Sequence, residues 1–526
     1  MYDYVIVGAG SAGCVLAARL TEDPDVSVLL LEAGPPDVNQ NIHVPLGYLK
    51  LAGTEVDWNY FSAPEPHCNG RRIPLPRGRV LGGSSSTNAM VYIRGNPRDY
   101  DGWGIPGWSW AELFPYFLKA EDNERGASEW HGAGGPLAVS EQRSGIAISR
   151  AWVEAAVQAG LPRNDDFNGA VQDGAGMYQV TQRGGLRASA AAAYLHPAMA
   201  RPNLHVLTHM LVHRVLFEGT RAVGVEASQL GHVQELRAQR EVILCGGAYN
   251  SPQLLMLSGV GPAEHLQLRE LEVVLDQPAV GENLSDHAAT YAVWGTERPE
   301  SLLLAREPAA LEEFMAAQTG PLASNLAESG AFVRVEPDAP APDMQFHTIP
   351  VQILEEGTAD PEGHGVLVTP CLLTPEARGS VRLASNDPTA RPIVRNAFYA
   401  HERDLERMVA ALRLTLEIAG QPAMAPYCTT GMLVPDDDSD AALRAHARRT
   451  TFAIYHPVGT CAIGNVVDEQ LRVNGLEALR VVDASVMPVV PRGNTNAPTI
   501  ALAERAADLI KGAAPLSAAT SPSASV

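Results

Sequence analysis

The chain predicts an α/β fold, α+β in part. A glycine-rich turn between a short apolar strand and a helix opens it, an acidic residue closes the next strand, and the long middle region mixes short β-like runs with an amphipathic helix. The first two features specify a Rossmann-like dinucleotide-binding unit; the third specifies a separate antiparallel sheet backed by helices.

Residues 4 to 7 (YVIV) form a continuous apolar run, as a strand buried on both faces requires, and lead into Gly8-Ala9-Gly10-Ser11-Ala12-Gly13. Gly8 permits the tight turn, Gly10 lets backbone N–H groups approach a pyrophosphate, and Gly13 allows the helix to pack closely on the strand. Residues 11 to 22 read as that helix, with Val15, Leu16, Arg19 and Leu20 at helical spacing and Asp23-Pro24 ending it. Its N-terminus adds partial positive charge for an anion. The next buried strand, residues 26 to 31, ends in Glu32, close to the ~20 residues beyond the glycines at which such folds place a ribose-binding acid. This unit alone does not distinguish NAD from FAD.

Composition bounds the rest. A chain of 526 residues suggests about three domains at roughly 150 residues each. A net charge of −21 repels phosphate backbones and anionic headgroups, so nucleic acid is not an expected partner. The six cysteines are scattered, without a C-x-x-C pair or zinc-type spacing, so no metal is expected and a reducing cytoplasm fits best. No apolar run approaches the ~20 residues of a membrane span, and no basic segment precedes one at the N-terminus. H-E-x-x-H and G-x-S-x-G are absent, so metalloprotease and hydrolase readings lack support.

Residues 76–95, PRGRVLGGSSSTNAMVYIRG, resemble the first signature of the glucose–methanol–choline (GMC) flavin oxidoreductases, and residues 247–261, GAYNSPQLLMLSGVG, resemble the second. The similarity continues at 280–287, 455–460, 480–485 and 493–498, and spans residues 2 to about 511. The resemblance implies FAD as cofactor. Gly8, Gly10, Ser11, Ala12, Gly13, Glu32 and Ala33 would hold its ADP half. Val80 and the loop Gly82, Gly83, Ser84, Asn88, Ala89, Met90 and Val91 would line the flavin and diphosphate. Val212 would meet adenine through its main chain, Asp483 and Ala484 would reach the ribityl or phosphate region, and Thr495 and Pro498 would complete the set. Some members carry a flavin-bonded His directly before the loop asparagine. Here Thr87 precedes Asn88, and non-covalent FAD is the expectation.

Alcohol oxidation by a flavin needs a base for the hydroxyl proton and a hydride acceptor, flavin N5. His456, in Tyr-His-Pro-Val-Gly-Thr, resembles the family's catalytic histidine, and Asn496 is expected as its orienting partner. Asn496 also reads as a helix cap, because residues 499 to 510 read as a helix following Pro498. That helix would point its N-terminus at the flavin C2=O edge. Asp286-His287 reads as a structural turn, and His347 as a strand residue without an assigned role. A choline-type cation would want a carboxylate and aromatic rings, for which Glu328, Trp58 and Trp294 are candidate linings.

The expected function is FAD-dependent oxidation of a primary alcohol to an aldehyde. A dehydrogenase using a quinone or carrier is favoured over an oxidase using O2, as in similar bacterial sequences of choline and alcohol dehydrogenase type. An FAD-containing lyase of the same fold and an NAD(P)-dependent reductase are the alternatives. Motif positions replace three consecutive domains with two interleaved ones: an FAD-binding domain of residues 1–143, 186–297 and 454–511, and a substrate domain of 144–185 and 298–453. Residues 512–526, rich in Ala, Ser and Pro, read as a disordered tail. A monomer or homodimer is expected.

Overall fold

A computed structural model describes residues 1–354, 361 and 363–518. Two large sheets organise it. The first has seven strands, in the order Leu204–Leu207, Val28–Leu31, Tyr2–Val7, His232–Leu244, Arg221–Gln229, Met210–Glu218, with Leu479–Val481 beside His232–Leu244. The strands around Tyr2–Val7 run parallel, and the last three of the main order form an antiparallel meander. His232–Leu244 serves both parts: its first half pairs within the meander and its second half beside Tyr2–Val7. The apolar runs of Val28–Leu31 and residues 4 to 7 are buried throughout, as both-face coverage demands.

Helix Ser11–Leu20 packs against the last helix, Asn496–Lys511, which packs in turn on Trp110–Ala120. The contact is pinned by Glu504, fully buried on the last helix. Its carboxylate accepts from Arg19 of the first helix, from the Tyr194 hydroxyl at 2.9 Å, and pairs with Lys119 at 3.0 Å.

The second sheet has eight antiparallel strands, ordered Thr430–Leu433, Ala292–Gly295, Gly365–Leu372, Met344–Ile349, Ser329–Val333, Gly174–Met177, with Ala288–Ala289 and Phe452–Ala453 paired at its side. Helices Ala147–Gln158 and Glu402–Ala419 lie on it. Leu405, Met408, Val409 and Leu412 are buried under the latter helix, each side chain contributing about 2 kcal/mol by removal from water. The expected helix end near Gly420 is where the helix stops.

Two expectations differ in detail. Residues 288–295, placed by sequence in the first domain, carry strands of the second sheet, because Ala292–Gly295 pairs with Gly365–Leu372. The sequence also offers a β-like run at 379–383 in the middle region; it forms the strand Ser380–Arg382, which pairs with Ile393–Arg395 in a separate two-stranded ribbon outside the second sheet. Of the tail, residues 512–518 continue without helix or strand, and 519–526 lie outside the described residues. Among the described residues no helix is long and apolar enough to cross a membrane, and no group of His, Cys, Asp and Glu could hold a metal ion.

Candidate active site

A cavity of about 780 Å³ opens at the carboxyl ends of the parallel strands, where Val7, Leu31 and Cys245 line it. Its size is within the ~300–1,000 Å³ of ligand and cofactor sites. The glycine-rich turn forms one wall. A Cβ on Gly8, which has φ +102, would lie 2.5 Å from the Cys245 carbonyl oxygen, and one on Gly13 would lie 1.9 Å from the Gly8 oxygen. Both positions therefore serve backbone packing. A Cβ on Gly10 would meet only Cys245 O and Gly83 Cα, at 4.0 Å, so this residue leaves room for a ligand to approach the backbone. No side chain of the described residues caps helix Ser11–Leu20. Its first N–H groups have no partner within the helix and border the cavity at Ser11 and Ala12, a ready anion site.

Glu32 is buried at the strand end. Its two oxygens accept from the Ala9 and Gly34 N–H groups at 3.0 and 2.9 Å. Burial pushes its pKa up to about 7, against those hydrogen bonds and the positive charge of Arg79. The acid thus holds the turn as well as facing the cavity. Asp483 joins two distant segments, accepting from Gly247 N at 2.9 Å and Ser251 Oγ at 2.5 Å while also accepting from Ser485 N. Asn88 is fixed by Arg187 at 2.8 Å.

Most residues expected around the cofactor line this cavity: Gly8, Gly10, Ser11, Ala12, Glu32, Ala33, Gly83, Ser84, Asn88, Ala89, Met90, Val91, Val212, Asp483, Ala484 and Thr495. Gly13, Val80, Gly82 and Pro498 stand behind its wall. Val80 is packed with Ile42, Leu51 and Val56, and Pro498 is buried in the first turn of the last helix. The donor set fits a dinucleotide: a glycine turn and uncapped helix start for a diphosphate, and an acid for a ribose.

His456 lines the same cavity. Its Nε2 is 3.1 Å from Asn494 Nδ2, and its Nδ1 is 3.0 Å from His287 Nδ1. His287 Nε2 in turn lies 3.1 Å from the Leu373 carbonyl oxygen. Asp286 Oδ1 accepts from the backbone N–H of His456 at 2.7 Å and of His287 at 2.8 Å. Arg77 donates to the Tyr455 carbonyl at 2.8 Å. The peptide joining Tyr455 to His456 is therefore gripped at both ends, by a guanidinium and a carboxylate. Tyr455 has φ +71, a left-handed conformation that costs a tyrosine about 1–3 kcal/mol and that this grip maintains. Burial drives the His456 pKa well below its usual value, helped by His287, His347 and Arg77. The same cause takes His287 down to about 3 and Asp286 up to about 7.

Asn496 lines the same cavity as His456, but no hydrogen bond joins the two among the described residues. Its Oδ1 accepts from Ser11 Oγ at 2.7 Å, tying the start of the last helix to the start of the first. The helix begins at Asn496, and Asn494, in the turn before it, is the asparagine that meets the histidine. Asn494 Oδ1 accepts from Gln345 Nε2 at 3.3 Å. Of the candidate cation linings, only Trp58 reaches the cavity, joined there by Tyr60, Tyr249 and Tyr455. Glu328 is buried and accepts from the Ser149 and Ser324 hydroxyls at 2.5 and 2.6 Å, and Trp294 is buried elsewhere. His347 is buried on strand Met344–Ile349, and neither ring nitrogen has a hydrogen-bond partner among the described residues. Asn494, Arg77, Asp286 and His287 are the residues that sequence reasoning did not assign. The signal for Asn494 is its place as the first asparagine of Asn494-Thr495-Asn496, inside the 493–498 stretch that resembles the family.

Comparison with known proteins gives a consistent result. Models of the GMC oxidoreductase family match residues 2–289 and 375–503. The oxygen-dependent choline dehydrogenase of Stenotrophomonas maltophilia (strain K279a) is 43% identical, covering 99% of this chain and 97% of that protein. The mitochondrial choline dehydrogenase of Homo sapiens is 45% identical over 97% of this chain and 90% of its own length. Among solved structures, pyridoxine 4-oxidase from Mesorbium loti superimposes with a TM-score of 0.89 at 32% identity, covering 98% of this chain and 100% of that one. A variant of the formate oxidase of Aspergillus oryzae RIB40 gives a TM-score of 0.91 at 26% identity, covering 97% and 98%.

Proposed function

The chain belongs to the GMC oxidoreductase family, and on that premise we propose that it oxidises a primary alcohol to an aldehyde, with His456 as the base and Asn494 as its partner. The observation that carries this reading is a buried, neutral histidine that lines the same cavity as the glycine turn and whose Nε2 meets the Asn494 amide at 3.1 Å. A neutral imidazole can take the substrate's hydroxyl proton at Nε2. The Asn494 amide, 3.1 Å from that atom, donates to the substrate oxygen and orients it, and Gln345 holds the amide in turn. Asn494 takes the role expected of Asn496, whose Oδ1 accepts from Ser11 Oγ.

FAD, the cofactor of this family, supplies the hydride acceptor, flavin N5, when bound. The start of helix Ser11–Leu20 holds its diphosphate, Glu32 a ribose, Val212 the adenine, and the loop from Gly83 to Val91 with Asp483-Ala484 the flavin half. Thr87 has no atom able to form a histidyl bond, so the FAD is held non-covalently. The aromatic wall of Trp58, Tyr60, Tyr249 and Tyr455 suits an alcohol with an apolar or cationic body. The electron acceptor is a quinone or carrier, a reading supported by the dehydrogenase name of the mitochondrial relative at 45% identity, whereas the name of the Stenotrophomonas relative specifies oxygen.

The test is anaerobic mixing of holoenzyme with choline, aryl alcohols and aliphatic alcohols. Bleaching of the flavin by at least one of them, slowed about 100-fold or more in His456→Ala, is the expected result. Absence of bleaching by every alcohol, or an unchanged rate in the variant, overturns the proposal.

A further inference from the structure

The Asp286-His287 pair lies against the base, and its hydrogen bonds have a direction. The Leu373 carbonyl can only accept, so His287 Nε2, 3.1 Å away, carries a proton. A neutral His287 then presents a lone pair at Nδ1. That lone pair faces His456 Nδ1 at 3.0 Å, and the contact is a hydrogen bond only if His456 is protonated at Nδ1. His456 Nε2 is left without a proton, and there the Asn494 amide donates to it.

We propose that His287 is a positioning residue that sets the tautomer of His456, accepting its Nδ1 proton so that the Nε2 lone pair always faces the substrate hydroxyl. The proposal rests on His456 being the base. The opposite arrangement would set a ring lone pair against the Leu373 oxygen, or would need a charged His287. Such a charge is opposed by burial and by the neighbouring His347 and Arg492, and Asp286 makes no hydrogen bond to the His287 ring: its Oδ1 accepts from two backbone N–H groups and its Oδ2 has no partner among the described residues. The rings meet edge to face, with centroids 5.2 Å apart, which aims one nitrogen of each at the other.

A consequence follows for the proton. When the substrate hydroxyl loses its proton to Nε2, His456 becomes an imidazolium that keeps its Nδ1–H on His287. A further shift toward His287 Nδ1 would spread the positive charge over two rings, but the chain ends at a carbonyl that cannot take up a proton. The proton therefore leaves by the Nε2 face through which it came.

Holoenzyme carrying 15N-histidine tests the tautomer directly. Among the fifteen histidines, a neutral ring with a protonated Nδ1 and a pyridine-type Nε2 should vanish in His456→Gln, leaving in place the like signal of His265, whose Nε2 accepts from the Leu383 N–H at 3.1 Å. A His456 ring protonated at Nε2 overturns the proposal, whatever the variants do. Kinetics give the second readout. His287→Leu should slow anaerobic flavin reduction at saturating alcohol about 100-fold, with KM and FAD content within ~3-fold of wild type. His287→Asn, whose amide oxygen can accept the same proton, should recover to within ~10-fold of wild type. A leucine variant as fast as wild type, or an asparagine variant as slow as leucine, also overturns it. If His287→Leu does not retain flavin, the wild-type spectrum decides. Failure of the base assignment is separately visible, as wild-type flavin that no alcohol bleaches.

Discussion

Asn494 and Asn496 differ by two positions and share one chemistry, and the structure separates their work. Asn494→Ala removes a donor 3.1 Å from His456 Nε2 and the acceptor for Gln345 at 3.3 Å. Loss of one pre-oriented donor at a reacting oxygen costs about 100- to 1,000-fold in rate, or ~2.7–4 kcal/mol. Asn494 is only partly buried, so water can occupy the vacated place, which puts the expected loss at the lower end, about 100-fold. Asn496→Ala instead deletes one neutral hydrogen bond, from Ser11 Oγ at 2.7 Å. That is worth about 1 kcal/mol of stability, a fall of ~1 °C in Tm for a chain this long. Its reduction rate should stay within ~3-fold of wild type. The assay is stopped-flow anaerobic flavin reduction at saturating alcohol, beside thermal melts of both variants. If Asn496→Ala is the slower enzyme and Asn494→Ala turns over normally, the division of roles is wrong.

Three further outcomes are expected. Gly13→Ala should purify without flavin or fail to fold, because its Cβ would lie 1.9 Å from Gly8 O at the phosphate turn; normal flavin absorbance would contradict this. The rate of flavin reduction should stay level from neutral pH down through 6.5 and fall only in more acid solution, because the His456 pKa is lowered and protonation removes the Nε2 lone pair; a loss of rate centred at 6.5 or above would argue against a buried neutral base. Acid precipitation of the holoenzyme should release its flavin to the supernatant, since Thr87 stands where a histidyl link would be; a yellow pellet would disprove it.

The N-terminal unit was legible in the sequence because most of what defines it is local. The strand, the turn and the helix are contiguous, and the contact that excludes a side chain at Gly13 lies on the Gly8 backbone, whereas the one at Gly8 comes from the distant Cys245. The antiparallel sheet was legible in outline, from its short runs and the apolar face of helix Glu402–Ala419. Its limits were not, because Ala292–Gly295 is claimed for the second sheet by pairing with a strand some seventy residues later. His456 was singled out by its motif, but its surroundings are products of tertiary approach. His287 reads as part of a turn until the fold brings it to His456, and Glu328 reads as a candidate cation lining until two serines close over it. The choice between the two asparagines turned on where one helix begins, the feature that sequence specifies least sharply.

The meeting of the first and last helices also bears on synthesis. Ser11 leaves the ribosome well ahead of Asn496, its hydrogen-bond partner, and Arg19 well ahead of Glu504, the acid that receives it, each pair nearly five hundred residues apart. At ~5–20 residues per second the interval is about 25–100 s. Throughout it, the face of helix Ser11–Leu20 that the last helix will cover has no permanent neighbour. The nascent chain thus exposes its phosphate-binding turn long before it can finish the enclosure, which makes the first helix a natural station for a chaperone and makes truncation at the C-terminus as damaging to flavin retention as a lesion at the N-terminus.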